Sequence, residues 1–227
     1  MKTLVILASG NSTRFGKTPK VFADVGGISN LENTIRYAKG IYDRVLLTLN
    51  QEVFHVYSGK GNINCEVSIV PGGHGDAYSF LEVVKNMSYD EEVSLCWGDA
   101  IFRSDVPFKV CSTSQYNIGV VSALDKNPYA WFEEEDFKIL DSHFRKDNPI
   151  DIGWHDQSLF RINVPYCLKY LTLYKECVNI ATDEMKIINF VSWLAKTQNE
   201  YAHIIPIETG LVRSFNTIEE LKEAILC

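Results

Sequence analysis

Long apolar runs are missing from these 227 residues. The longest, Leu4–Ala8 and Ile118–Leu124, fall far short of the roughly 20 residues a membrane helix needs. A basic surplus is missing too. Lys and Arg number 22 against 29 Asp and Glu, a formal net charge of −7, whereas duplex binders carry positive charge to meet phosphate. Nucleic acid and membrane are therefore set aside as partners. The six cysteines (Cys65, Cys96, Cys111, Cys167, Cys177 and Cys227) include no C-x-x-C pair and none at metal-finger spacing with a histidine. They are expected as reduced, buried thiols in a cytoplasmic protein. The run after Met1-Lys2-Thr3 is too brief for a signal-peptide core and reads as a buried first strand. Also absent are G-x-x-x-x-G-K-[ST], G-x-G-x-x-G and any Asp-x-Asp. A P-loop kinase, a dehydrogenase and a metal-dependent glycosyltransferase each lose their usual support.

What is present is a globular composition, 46% hydrophobic and 22% charged. The first half alternates strand and helix signals. Thr3–Ala8, Arg44–Leu49, Cys65–Val70 and Glu92–Trp97 read as strands. Asn30–Lys39, Val53–Ser58 and Asp76–Asn86 read as helices between them. This order predicts a Rossmann-like three-layer α/β/α fold with a mostly parallel, mixed central sheet. Ligands of such sheets lie at the carboxyl ends of the strands, where three polar or Gly-rich loops begin, at Ser9, Gly72 and Gly98. The second half is less regular. Strands are expected at Ile118–Leu124 and His203–Ile207, a strand or strand end at Ser158–Val164, and a hairpin over Trp131–Leu140. Helices are expected from Val164 to about Cys177, over Asp183–Thr197 and over Ile218–Leu226. No repeat, low-complexity stretch or linker divides the chain. It reads as one domain, 1–227, with a nucleotide-binding half (1–110) and an acceptor-binding half (111–227).

The loop after the first strand carries the densest chemistry: Leu7-Ala8-Ser9-Gly10-Asn11-Ser12-Thr13-Arg14-Phe15-Gly16-Lys17-Thr18-Pro19-Lys20. Gly10 lets the backbone turn off the strand end with amides facing outward, an anion cradle. Arg14 adds a planar fork for phosphate oxygens and Lys20 a point charge. Pro19 stiffens the chain ahead of Lys20.

The pattern of Leu7-Ala8-Ser9-Gly10, Arg14 and Pro19-Lys20 resembles the signature loop of nucleotidyltransferases with a glycosyltransferase-A-like fold. These include sugar-1-phosphate nucleotidylyltransferases and related cytidylyltransferases. Family members often have glycines where this chain has Asn11-Ser12-Thr13. Gly72-Gly73-His74-Gly75-Asp76-Ala77 resembles the family's second glycine loop, which implies that Gly73, His74, Gly75 and Asp76 meet base and ribose beside Ala8–Thr13; Asp76 equally suits the N-terminus of its helix. Gly98-Asp99 resembles the Gly-Asp whose carboxylate holds the catalytic Mg²⁺. Ser214–Leu221 resembles a closing segment whose metal ligand maps to Asn216. The resemblance implies Arg14 and Lys20 as catalytic cations and Mg²⁺ as cofactor. The partners it implies are a nucleoside triphosphate, UTP or CTP ahead of purines, and a small phosphorylated acceptor, a sugar 1-phosphate ahead of a polyol or choline phosphate. A homodimer is left open.

In the second half the resemblance implies one further lysine on the transferred phosphate or the acceptor, and Lys146, placed after the hairpin, is chosen for it over Lys126 and Arg145. Gly153-Trp154-His155-Asp156-Gln157 forms a polar cluster before a strand. There Trp154 can stack on a ring and Asp156 can accept from hydroxyls. Glu133–Asp136 reads as a solvated turn. Two rival classes remain, a glycosyltransferase of the same fold and a non-catalytic nucleotide-binding regulator. Arg14, Lys20 and Asp99 together argue against the regulator.

Overall fold

The computed structural model describes residues 1–10, 15, 18–57, 65–180 and 182–226. The first half runs β1 (Lys2–Leu7), α1 (Asn30–Ala38), β2 (Arg44–Leu49), α2 (Gln51–Tyr57), β3 (Glu66–Ile69), α3 (Asp76–Val84), β4 (Glu92–Trp97), β5 (Ala100–Phe102) and α4 (Val106–Thr113). The second half runs β6 (Ile118–Lys126), β7 (Ala130–Glu135), β8 (Lys138–Phe144), β9 (Ile152–Asn163), α5 (Val164–Cys177), α6 (Ile187–Trp193), β10 (His203–Pro206), β11 (Val212–Ser214) and α7 (Ile218–Leu226).

Among the described residues, nine strands form one sheet in the order β3-β2-β1-β4-β9-β6-β10-β8-β7, and β11 pairs with β5 apart from it. β3, β2, β1 and β4 are parallel to one another. From β9 onward the pairing is antiparallel, except β6 with β10. The mostly parallel expectation thus describes the first half, and the whole sheet is mixed.

Layering follows from strand alternation. Val5 and Leu7 of β1 join one core cluster with Phe80 and Leu81 of α3 and Phe190 of α6. Leu4 and Ile6 point the other way, to Leu31 of α1 and Phe108 of α4. A strand apolar on both faces is what a helix-covered parallel sheet requires. Helix α1 starts on a capping box: Ser29 Oγ accepts from the Glu32 N–H, and the Ser29 N–H donates to Glu32.

Several expectations are corrected. β9 begins at Ile152, so the polar cluster Gly153–Gln157 lies inside a strand, not in a loop before one. Its two edges pair with β6 and, at Trp154, with Phe132 of β7. The expected helix over Asp183–Thr197 begins only at Ile187 and ends in a π-helical turn, Leu194–Gln198. Glu133–Glu135 finish β7, and the hairpin turns instead at Asp136 and Phe137, both with positive φ. Of the cysteines, Cys96, Cys111 and Cys167 are buried, Cys65 is half-buried and Cys177 is exposed; Cys227 lies outside the described residues. No helix among the described residues is long and apolar enough to cross a membrane.

Candidate active site

The first strand fixes one wall. Past its end, the Ala8 N–H donates to Thr48 O at 3.2 Å, Asn50 Nδ2 donates to Ser9 O at 2.9 Å, and Ser9 Oγ lies 2.8 Å from Ser79 Oγ. Pro19 is buried and leads into a 3-10 turn, Lys20–Phe22, in which Val21 is buried. Gly98 packs tightly here. A Cβ on it would lie 3.0 Å from Ala8 Cβ and 3.1 Å from Leu7 O. The missing side chain lets the β4–β5 turn pack against the first loop, which delivers Asp99 to Lys20.

Lys20 Nζ donates to Asp99 Oδ2 and to Asn216 Oδ1, each at 2.8 Å. A carboxylate and an amide oxygen from segments far apart in sequence thus converge on one positive centre. A hard divalent cation takes oxygen donors of this kind, so the residues present suit Mg²⁺.

The second glycine loop closes the opposite wall. Gly75 has φ +93°, and a Cβ there would lie 2.3 Å from Met185 O. The loop is stitched to that residue: the Met185 N–H donates to His74 O at 2.9 Å and the Ala77 N–H to Met185 O at 3.0 Å. The Asp76 carboxylate accepts from the backbone N–H groups of Ala77 (2.8 Å) and Ile187 (2.9 Å) and from Trp97 Nε1 (3.0 Å). Burial pushes its pKa up to about 6, against those three donors and the charge of Lys186. Through the Ile187 bond, Asp76 ties the loop to the second half.

The third wall is β9. Its pairing with β6 slips between Val120 and Ser122, and Ser158 sits at φ +58°. Such a bulge re-aims side chains. The Ser158 N–H donates to Asp156 Oδ1 at 3.0 Å. Asp156 is 4% exposed, and burial raises its pKa, opposed by His155 and reinforced by the charge of Asp99. His155 Nδ1 lies 3.2 Å from Asp125 Oδ2. Burial disfavours the imidazolium, but Asp125 and Asp156 outweigh it and leave the pKa raised.

These walls enclose a cavity of about 610 Å³. Ala8, Ser9, Gly10, Lys20, Gly73, Gly75, Asp76, Asp99, Asp156 and Asn216 all line it. His74 is not among the lining residues; its ring lies against Tyr78 at 4.9 Å. Trp154 is also outside the lining and meets Phe137 edge-on at 5.9 Å. Lys146 is exposed, 3.8 Å from Asp147, and likewise outside it. Asn11, Ser12, Thr13 and Arg14 lie outside the described residues. Sequence reasoning missed His155, Lys186 and Tyr129, which also line the cavity. His155 was in view within the polar cluster; no motif marks Lys186 or Tyr129.

The family model of the MobA-like NTP transferase domain matches residues 4–144. The chain is 32% identical over 129 residues to the bifunctional protein GlmU of Buchnera aphidicola subsp. Acyrthosiphon pisum (strain Tuc7), a match covering 55% of this chain. It is 29% identical over 129 residues to the protein of the same name from Buchnera aphidicola subsp. Schizaphis graminum. The chain spans 28% of the length of these curated relatives. Among solved structures, the inositol-1-phosphate CTP transferase of T. maritima superposes with TM-score 0.76 at 18% identity, over 99% of this chain and 96% of that one. A putative glucose-1-phosphate thymidylyltransferase from Bacillus anthracis gives TM-score 0.79 at 16% identity, over 100% and 94%. The CTP:phosphocholine cytidylyltransferase of Streptococcus pneumoniae gives 0.70 at 12%, over 99% and 98%. At such identities the likeness is one of fold.

Proposed function

The chain belongs to the MobA-like NTP transferase domain family, and from that premise we propose that it joins the nucleoside monophosphate of UTP or CTP to a sugar 1-phosphate and releases pyrophosphate. The observation that carries this reading is the Lys20 ammonium held 2.8 Å from both Asp99 Oδ2 and Asn216 Oδ1 at the strand-end cavity. In the reaction, a phosphate oxygen of the acceptor forms a bond to the α-phosphorus, and the bond to pyrophosphate breaks. The acceptor phosphate is ionised at neutral pH, so no general base is required. Catalysis reduces to positioning and to stabilising charge.

Lys20 neutralises the charge that grows at the α-phosphate, and Arg14 holds the β- and γ-phosphates. The first loop, Ala8–Thr13, cradles the triphosphate, and Gly73–Asp76 borders base and ribose. Asp99 and Asn216 would hold Mg²⁺, which when bound supplies neutralising charge to phosphate oxygens. Asp156, with His155 beside it, accepts from acceptor hydroxyls. Residues 1–110 supply the nucleotide side and 111–227 the acceptor side, with Asn216 reaching back to the cation site.

A second acceptor reading has its own observation. Tyr129 and Phe144 line the cavity with ring centroids 5.9 Å apart, and aromatic faces suit a quaternary ammonium such as that of choline phosphate. The test is a panel of four nucleoside triphosphates crossed with sugar 1-phosphates, a polyol phosphate and choline phosphate, read by Mg²⁺-dependent pyrophosphate release. UTP or CTP with a sugar 1-phosphate is the expected best pair. A choline phosphate optimum would select the second reading. No acceptor-dependent pyrophosphate with any pair would overturn both.

A further inference from the structure

The turn that carries Asp99 is held by a side chain to which the reaction above gives no role. Asn30, the first residue of α1, is 1% exposed. Its single amide nitrogen donates to Gly98 O and to Ala100 O, each at 3.0 Å. These are the carbonyls on either side of Asp99. The carbonyl between them, that of Asp99 itself, accepts from the Phe215 N–H at 3.3 Å, and Phe215 immediately precedes Asn216. The backbone N–H of Asn30 donates to Ala23 O at 2.8 Å, and Ala23 closes the 3-10 turn that begins at Lys20. Asn30 therefore bonds to the segments that carry Lys20 and Asp99. The segment that carries Asn216 is one backbone bond further on.

Asn30 Oδ1 is buried with no hydrogen-bond partner among the described residues. An unpaired buried acceptor carries a desolvation cost that an apolar side chain of similar size would avoid. What an apolar residue could not supply is the two-hydrogen clamp.

We propose that Asn30 is a positioning residue for the cation site. By pinning the carbonyls that bracket Asp99, it fixes the direction in which the carboxylate leaves the β4–β5 turn. That direction keeps Asp99 Oδ2 aimed at the point it shares with Asn216 Oδ1. Sites of this kind tolerate displacements of only about 0.5 Å. The inference rests on reading those two oxygens as a divalent-cation site.

The same helix contains a control. Asn33 is also buried and donates from Nδ2 to Phe102 O at 2.9 Å, on the same segment but beyond the turn. The experiment measures Mn²⁺ binding by electron paramagnetic resonance in the full chain, with thermal melting alongside, for wild type, N30L, N33L and D99N. Both helix variants should melt at lower temperature. N30L should bind Mn²⁺ at least about tenfold more weakly, the usual loss when the support of a ligand is removed, and N33L within about twofold of wild type. The proposal is overturned if N30L binds as wild type does, or if N33L weakens binding equally. Should N30L fail to fold, N30Q, which moves the amide out by one methylene, is read the same way. If instead D99N binds as tightly as wild type, or wild type binds no Mn²⁺, the cation reading itself falls and the role of Asn30 falls with it.

Discussion

The parallel half of the sheet and its antiparallel half build the same cavity by different means. In the parallel half the site residues sit on turns just past strand ends: Ser9 and Gly10 after β1, Gly73–Asp76 after β3, Asp99 after β4. Backbone conformation and missing Cβ atoms, at Gly75 and Gly98, decide where they point. In the antiparallel half the contributors lie within a strand, His155 and Asp156 of β9, or just ahead of a helix, Lys186 before α6. There a bulge and side-chain direction do the placing. The parallel half is the frame that brings Lys20 and Asp99 to the cavity, and the antiparallel half brings His155, Asp156 and Lys186 and anchors the second glycine loop through Met185 and Ile187.

The division breaks most sharply at Lys20. If the frame carries the chemistry, Lys20→Ala lowers turnover by at least about two orders of magnitude, the usual loss for a removed charge-stabilising group. Pre-steady-state and steady-state pyrophosphate release with the best substrate pair measures it. Turnover within a few-fold of wild type would take Lys20 out of the mechanism and leave the parallel half as scaffold alone.

The seam between the halves is Asp76, and pH sharpens its part. Its pKa stands at about 6 in the fold against an ordinary 3.8. The folded state holds the proton longer than the unfolded chain, so stability falls as pH rises from about 4 to about 6 and is level above that. The full excursion is on the order of 3 kcal/mol. Asp76→Asn removes the titration. Melting temperatures of the two proteins across pH 4 to 8 should therefore diverge between pH 4 and 6, with wild type losing stability relative to the variant. Parallel curves would mean that Asp76 is ionised throughout and that the seam is an ordinary charged cap.

How much was legible follows the same division. Arg44–Leu49 and Glu92–Trp97 were read to the residue, because a strand buried on both faces writes itself as an apolar run. The Asp99 turn and the Lys20 loop were legible because glycine and proline mark the places where backbone must do something unusual. Ser158–Val164 reads as a strand or a strand end, and β9 begins six residues earlier, at Ile152. Gly153-Trp154-His155-Asp156-Gln157 has no apolar alternation, since part of it faces a polar cavity instead of the core, and a site-facing strand looks like a loop. At Asp76 the helix start is visible in sequence and leaves a ribose contact and a helix N-terminal role both open, whereas its three protein donors come partly from Trp97 and Ile187, far along the chain. Asn30 gave no signal, because a buried clamp on a distant turn leaves no periodic trace.

The smallest effect tests which lysine of the second half faces the substrates. The sequence points to Lys146, which is exposed and pairs only loosely with Asp147 at 3.8 Å. Lys186 lines the cavity, and among the described residues only it and Lys20 bring an ammonium there. Lys20 is already shared between Asp99 and Asn216, while Lys186 has Glu184 at 3.2 Å with both side chains about half exposed. The backbone under Lys186 is rigid, because Met185 and Ile187 on either side are bonded to the second glycine loop. A reaction between two phosphate-bearing molecules needs cations for both. Lys186→Ala should therefore raise the KM of the acceptor about five- to tenfold, a partly solvated charge-assisted hydrogen bond, and leave the KM of the triphosphate nearly unchanged. Lys146→Ala, a surface change, should move neither by more than about twofold. The opposite pattern would put the acceptor phosphate out by the β8 end, beyond the cavity wall, and would make the antiparallel half a site of its own.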